Sequence, residues 1–184
     1  MVTDNGMEWE LQRLGAAKGK LNEAEKTQWA LQGKEKAWGP DHTSTLDTVN
    51  NLGNVYISQI KLDEAEKMYQ RALQGYEKAW GPDHTSTLNT VNNLGNLYKS
   101  QGKLDEAEKM YQRAQQGKEK AWGPDHTSTL DTVNNLGILY KSQGKLDDAE
   151  KMYQRALKAY EKAWGPDHTS TLNTFNYLGN LYAD

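Results

Sequence analysis

The sequence predicts an all-α solenoid of antiparallel helix pairs, and three observations carry that expectation. The four prolines, Pro40, Pro82, Pro124 and Pro166, stand 42 residues apart, as do the four histidines, His42, His84, His126 and His168. Between these landmarks the apolar residues recur at helical spacing. Two such helical stretches fit in every 42 residues, and a glycine separates them in most copies. Self-similarity at this period marks stacked supersecondary units, each of which buries its apolar face against the next.

The 184 residues divide into full copies at 43–84, 85–126 and 127–168, preceded by a degenerate N-terminal repeat at 1–42. A partial copy, 169–184, supplies one terminal A helix as a cap, so 1–184 reads as a single solenoid. In the degenerate repeat, 19–26 match 102–109, but the segment is one residue shorter before Ala30 and Leu31. Residues 7–18 keep little beyond Leu11 and Leu14, as terminal repeats often do.

The 85–126 copy shows the elements. Leu88, Val91, Leu94, Gly95 and Tyr98 form one apolar stripe, which gives helix A. Thr85 or Ser86 is the expected N-cap, and Ser44 with Asp47 has capping-box spacing. Gly102 ends helix A. Asp105, with Glu108 three residues on, is the expected N-cap of helix B. Its stripe runs through Ala107, Met110, Tyr111 and Ala114 to Ala121 and Trp122. Gly123 suits a left-handed C′ position, and Pro124 cannot continue the helix. At about 15 and 18 residues the helices would be roughly 22 and 27 Å long. One hairpin cannot cover its own apolar surface, so the repeated Trp38, Trp80, Trp122 and Trp164 read as buried stacking residues.

Composition excludes several chemistries. With no cysteine there is no disulfide, no Cys-ligated metal site and no thiol nucleophile. A pI near 5.8 and a net charge of -3 argue against nucleic acid. No apolar run reaches the length of a membrane span, and 1–6 lack a signal peptide's basic start, so a soluble, cytoplasmic chain is expected. The Gly-Pro-Asp-His loop repeats, but one histidine per repeat is too widely spaced for shared metal ligation. Turn formation and hydrogen bonding at the helix start are the expected roles. No nucleophile constellation or phosphate loop is present, so the reading is non-enzymatic, with no cofactor and no metal.

Leu94-Gly95-x-x-Tyr98, Gly102, Ala107, Tyr111, Ala114 and the later Pro124 resemble the signature of the tetratricopeptide repeat, with Val91 where that family often has Trp. The 42-residue period resembles the longer subclass typified by kinesin light chains and by repeat regions of fungal and bacterial nucleotide-binding immune-receptor-type proteins. Ile60 replaces the inter-helix glycine, and Thr43, Thr85, Thr127 and Thr169 stand where many relatives carry Pro. The resemblance implies a right-handed superhelix, with A helices lining a concave groove, and a protein-interaction scaffold.

Removing the apolar stripe from helix A leaves an asparagine-rich row for that groove. The candidate binding residues are Asn50, Asn54, Asn89, Asn92, Asn96, Lys99, Asn134, Lys141, Asn176 and Asn180. Asp47, Asn51, Ile57, Asn93, Asp131, Asn135, Ile138, Asn173 and Tyr177 share the face. A carboxamide both donates and accepts, which suits it to gripping the backbone of an extended peptide or partner helix. The same amides can instead bond across adjacent A helices and only hold the stack. Lys99 and Lys141 mixed with Asp47 and Asp131 disfavour a clamp for a terminal carboxylate. Differences among copies fall at 47/89/131, 54/96/138 and 57/99/141 in helix A and from 73/115/157 through 76/118/160 in helix B, and read as surface drift that fits either selection on recognition or simple tolerance. A structural or self-assembling array without a ligand is the alternative, since Leu172, Phe175 and Leu178 of the terminal helix would lack cover and offer a route to self-association through the repeat ends.

Overall fold

The computed structural model describes residues 22–182, and the expected features at 7–21 lie outside them. The described residues form eight helices and no strand. They are α1 (Glu23–Trp38), α2 (Thr43–Ser58), α3 (Leu62–Trp80), α4 (Thr85–Ser100), α5 (Leu104–Trp122), α6 (Thr127–Ser142), α7 (Leu146–Trp164) and α8 (Thr169–Tyr182). The chain divides into two compact units, Met1–Gly81 and Pro82–Asp184. In the first, α1 packs on α2 and α2 on α3. In the second, α4 to α8 pack in chain order, and the A helices also touch, α4 on α6 and α6 on α8. This is the all-α repeat solenoid the periodicity predicts. Helices A and B run 16 and 19 residues in each full copy.

The core of each hairpin is built on a close approach. Tyr111 lies against the backbone of α4 at Gly95, where a Cβ would meet the ring at 2.6 Å. Gly53 with Tyr69 and Gly137 with Tyr153 repeat the contact at 2.6 and 2.5 Å. The tyrosines are buried, and Tyr111 packs with Ala107 and with Leu136 and Leu139 of the next A helix. The tryptophans are not. Trp38, Trp80 and Trp164 are 52%, 40% and 40% exposed, and Ala121 is exposed as well. They occupy the last turn of helix B. There Trp38, Trp122 and Trp164 lie against His42, His126 and His168, with ring centroids 5.3, 5.1 and 4.3 Å apart.

Those histidines, rather than Thr or Ser, cap helix A. Nδ1 of His84 accepts from the Ser86 N–H at 3.2 Å, and His42, His126 and His168 do the same in their own copies. The threonine one residue before each A-helix leucine is thereby turned inward: Thr45, Thr129 and Thr171 donate to the carbonyls of Gly39, Gly123 and Gly165. These bonds fix the end of one repeat to the start of the next. Gly123 has φ +93 and ψ 165, an extended positive-φ conformation open essentially to glycine rather than the left-handed one expected.

Helix B begins one residue before Asp105. Lys103 is its N-cap and makes no side-chain capping bond. The cause is the preceding turn: Gly102 takes φ +75 and the Lys103 N–H reaches back to the Tyr98 carbonyl at 2.9 Å, closing helix A with a Schellman-type bond. That turn delivers the chain straight into helix B. Asp105 then sits in the first turn, where a carboxylate complements the helix dipole. In the first full copy the glycine position is Ile60, held at φ +59.

Substitutions at the glycine positions read this geometry directly. A β-branched residue at positive φ costs about 1–2 kcal/mol, partly offset by the greater unfolded-state entropy of glycine, so Ile60→Gly should raise the unfolding free energy by about 1 kcal/mol in urea denaturation. Two helical glycines should behave differently from each other. At Gly117 an added Cβ meets the end of the Leu88 side chain, and the third copy already carries Ala159 there. Gly117→Ala should therefore be neutral or stabilising by up to about 1 kcal/mol, whereas Gly95→Ala, aimed at a ring, should cost about 1–3 kcal/mol in the same measurement.

Candidate functional site

The A-helix row includes a cavity in the second unit. A cavity of about 270 Å³ opens between α6 and α8, lined by Asp131, Asn134, Asn135 and Ile138 of α6, by Ser170, Asn173 and Tyr177 of α8, and by Tyr160 of α7. Of the ten candidate binding residues only Asn134 lines it. Asn135, Asn173, Tyr177, Asp131 and Ile138 join it from the remainder of the same helical face.

Several candidate amides have partners within the stack. Oδ1 of Asn92 accepts from Thr132 at 3.1 Å and from Asn135 at 3.4 Å, both on the next A helix. Asn134 donates to Thr174 at 2.9 Å while its Oδ1 is buried without a partner. Asn54 and Asn96 accept the hydroxyls of Tyr69 and Tyr111 at 2.6 Å, across the hairpin. Burial pushes the Tyr69 phenol up to about 12 and the Tyr111 phenol higher still. Lys141 donates to the Asn180 carbonyl at 2.7 Å. Lys99 is half-buried, and desolvation lowers its pKa. Asn50 also has an interaction partner. Asn89, Asn173, Asn176 and Asn180 have exposed side chains.

The differences among copies are not all surface drift. Tyr76 and Tyr160 are buried, and each donates its hydroxyl to an aspartate of its own repeat, Asp47 at 2.6 Å and Asp131 at 2.7 Å. Burial first, then the neighbouring carboxylate, raises both phenols far above their ordinary range. The position between them in the chain is Lys118, only 3% exposed. Its Nζ donates to the Ser128 carbonyl at 3.2 Å and to Thr132 at 3.1 Å, at the start of the next A helix. Lys34 makes the equivalent bond to Ser44 in the first unit. Along the copies Lys34, Tyr76, Lys118 and Tyr160 alternate, and so do Asp47, Asn89, Asp131 and Asn173. That alternation is the signal in the sequence that marks these rows as coupled.

Burial pushes Lys118 down to about 8, with Asp131 acting in the opposite direction. An unfolded lysine near 10.5 binds its proton more tightly than this folded one, so charged Lys118 opposes folding below about pH 8. The penalty is relieved as pH rises from about 8 to about 10.5. Lys118→Met should thus raise the unfolding free energy at pH 7 by about 1–2 kcal/mol, and its advantage over the parent should shrink toward about pH 10 in paired denaturation curves.

Comparison with known proteins fits this architecture. The tetratricopeptide repeat family model matches residues 44–120, 86–162 and 128–184. The crystal structure of BtubC (BKLC) from P. vanneervenii superposes with a TM-score of 0.73 at 21% identity, covering 97% of this chain and 80% of that one. Two crystal structures of a Podosopora anserina putative kinesin light chain with nearly identical TPR-like repeats, one of them a point variant, are likewise similar at 21% identity. Their TM-scores are 0.77 for the variant and 0.75 for the other, over 95% of this chain and 82% and 83% of theirs. No curated protein sequence matches. Helix pairs in 42-residue copies, each closed by a tyrosine on a glycine, together with a family match running from residue 44 to the C-terminus, establish that the chain belongs to the tetratricopeptide repeat family.

Proposed function

We propose that this chain is a non-enzymatic scaffold that takes an extended peptide or partner helix along its A-helix row. Tetratricopeptide repeats mediate protein–protein interaction, and the observation that carries the specific reading is the cavity between α6 and α8. Its lining is carboxamide, carboxylate and hydroxyl, with Ile138 and Tyr177 as apolar patches. A peptide backbone offers alternating donors and acceptors, and carboxamides can answer both without requiring a side-chain sequence. The amides fall into two groups. Asn92 and Asn134 hold neighbouring A helices, whereas Asn89, Asn173 and Asn176 face solvent and are available to a ligand.

A second reading is a ligand-free array that assembles end to end. It is favoured by Leu172 and Phe175, 49% and 61% exposed on α8, at positions whose counterparts Leu130 and Val133 are buried under helix B of their own repeat.

Selection of peptides from a random displayed library on the immobilised chain separates the two. Asn173→Ala with Asn176→Ala should abolish capture of the selected peptides while changing the unfolding free energy by less than about 0.5 kcal/mol. Asn92→Ala with Asn134→Ala should lower stability by about 1–2 kcal/mol, because each removes a side-chain hydrogen bond between neighbouring A helices. Failure to enrich any peptide, together with a scattering mass that grows with concentration, would favour the array.

A further inference from the structure

We propose that the cavity between α6 and α8 is a subsite for one cationic side chain, a lysine ammonium or an arginine guanidinium carried by an extended peptide, with Asp131 as its counter-ion. The inference rests on the peptide-groove reading and names what that peptide must bring to this point.

Asp131 is the one charged residue in the cavity lining. It is exposed, and the phenol of Tyr160 engages only one carboxylate oxygen, Oδ1, at 2.7 Å. Some acidic groups of the molecule have direct cationic partners: Asp41 pairs with Lys78, Glu108 with Lys145 and Glu119 with Arg155. Asp131 has no such pair among the described residues. The nearby fixed cation is Lys118, which interacts with it electrostatically but gives its hydrogen bonds to Ser128 and Thr132 instead. Lys118 is thus buried and outside the cavity lining, whereas Asp131 is exposed within it.

The remaining lining fits such a ligand. Ser170, Asn135 and Asn173 present oxygens that can accept from an ammonium or guanidinium, which donate only. Ile138 can cover the methylene stem, and the Tyr177 ring can lie against the charged head. An acidic ligand side chain is opposed by Asp131, and a purely apolar one would strip water from a carboxylate without replacing it. The same pairing of a buried tyrosine with a groove aspartate recurs as Tyr76 with Asp47, while Asn89 and Asn173 hold the row in the other copies. The charge is therefore placed at alternate repeats.

The test is titration of the full chain with the capped pentapeptide Gly-Ala-Lys-Ala-Gly, followed by the side-chain amide resonances of Asn134, Asn135 and Asn173. Arginine, norleucine and glutamate versions, and n-butylammonium alone, are titrated in parallel. The lysine and arginine peptides should bind about fivefold or more tightly than the norleucine peptide, a ratio that falls with added salt, and n-butylammonium should bind more weakly than either. Asp131→Asn should erase the preference; because the Asp131 charge also offsets the burial of Lys118, the variant is titrated well below its own unfolding midpoint. If that variant loses stability, the salt dependence in the parent chain still decides. Equal binding of lysine and norleucine peptides overturns the cationic subsite and leaves the peptide groove standing. Binding of n-butylammonium as tight as the peptides overturns the peptide as its source, and no saturable shift with any probe overturns subsite and groove together.

Discussion

A tyrosine ring laid on a glycine backbone sets the spacing of the two helices in every full repeat. At Gly53, Gly95 and Gly137 an added Cβ would lie 2.5–2.6 Å from the ring, so the tyrosine of helix B packs directly on the backbone of helix A. Much else follows from that approach. The ring passes over the A helix, and in the first two full copies its hydroxyl emerges beside the groove row, where Asn54 and Asn96 accept it. In the third copy the acceptor is replaced by Ile138. There the Tyr153 ring stacks on Tyr177 of the next A helix, with centroids 5.7 Å apart. A groove position that looks free to vary is thus tied to how a core hydroxyl is satisfied, because a buried hydroxyl without a partner costs about 1–3 kcal/mol.

The second tyrosine row extends the coupling from one repeat to a pair. Tyr76 and Tyr160 reach the aspartates of their own repeats, and Lys34 and Lys118 reach the helix start of the following one. A lysine paired with an aspartate in one copy would be locked inside its own hairpin. Alternating lysine with tyrosine sends the buried cation across the repeat boundary instead, where it binds the Ser128 carbonyl and Thr132. The cost is a lysine held nearly out of water, and the Asp131 charge beside it offsets part of that cost. Duplication of a single repeat does not produce this arrangement. It requires two adjacent copies that differ.

The helices, their phase and the repeat boundaries are legible in the sequence because a 3.6-residue period and a 42-residue period are independent signals that agree. Depth is less legible. A stripe gives direction but not distance from the axis of the stack, so Trp122 and Tyr111 look equally buried on a helical wheel. What separates them is position along helix B: Trp122 is its last residue and meets the His126 ring at the next helix start. The caps are misread for a related reason: serine and threonine are the commoner capping residues, yet the preceding histidine has an Nδ1 lone pair at the right reach, and this frees the threonine just before the leucine to bond inward. Ile60 at positive φ shows the reverse case, a departure visible in the sequence whose conformation is imposed by the glycine-shaped turn around it. The partners of the asparagines cannot be read at all. An amide offers donor and acceptor to whatever lies nearest, and what lies nearest to Asn92 is a threonine 40 positions further along the chain.

On the proposed groove reading, that division among the asparagines sets the ordering cost a ligand would meet. Amides already anchored to the next helix, such as Asn92 and Asn134, have given up their rotamer freedom during folding and present the rest of the row in a fixed frame. A ligand that docks beside them therefore orders only the exposed side chains, Asn173 and Asn176 among them, at about 0.5–1.5 kcal/mol each. Were every amide free, the ordering cost would rise with each repeat engaged and would consume the modest gain of one exposed hydrogen bond per residue. Were every amide already bonded, no donors or acceptors would remain for the peptide. On the same groove reading, a mixed row would let affinity grow with the number of repeats engaged, and the carboxylate of Asp131 in the cavity between α6 and α8 would give the peptide a point from which register can be read.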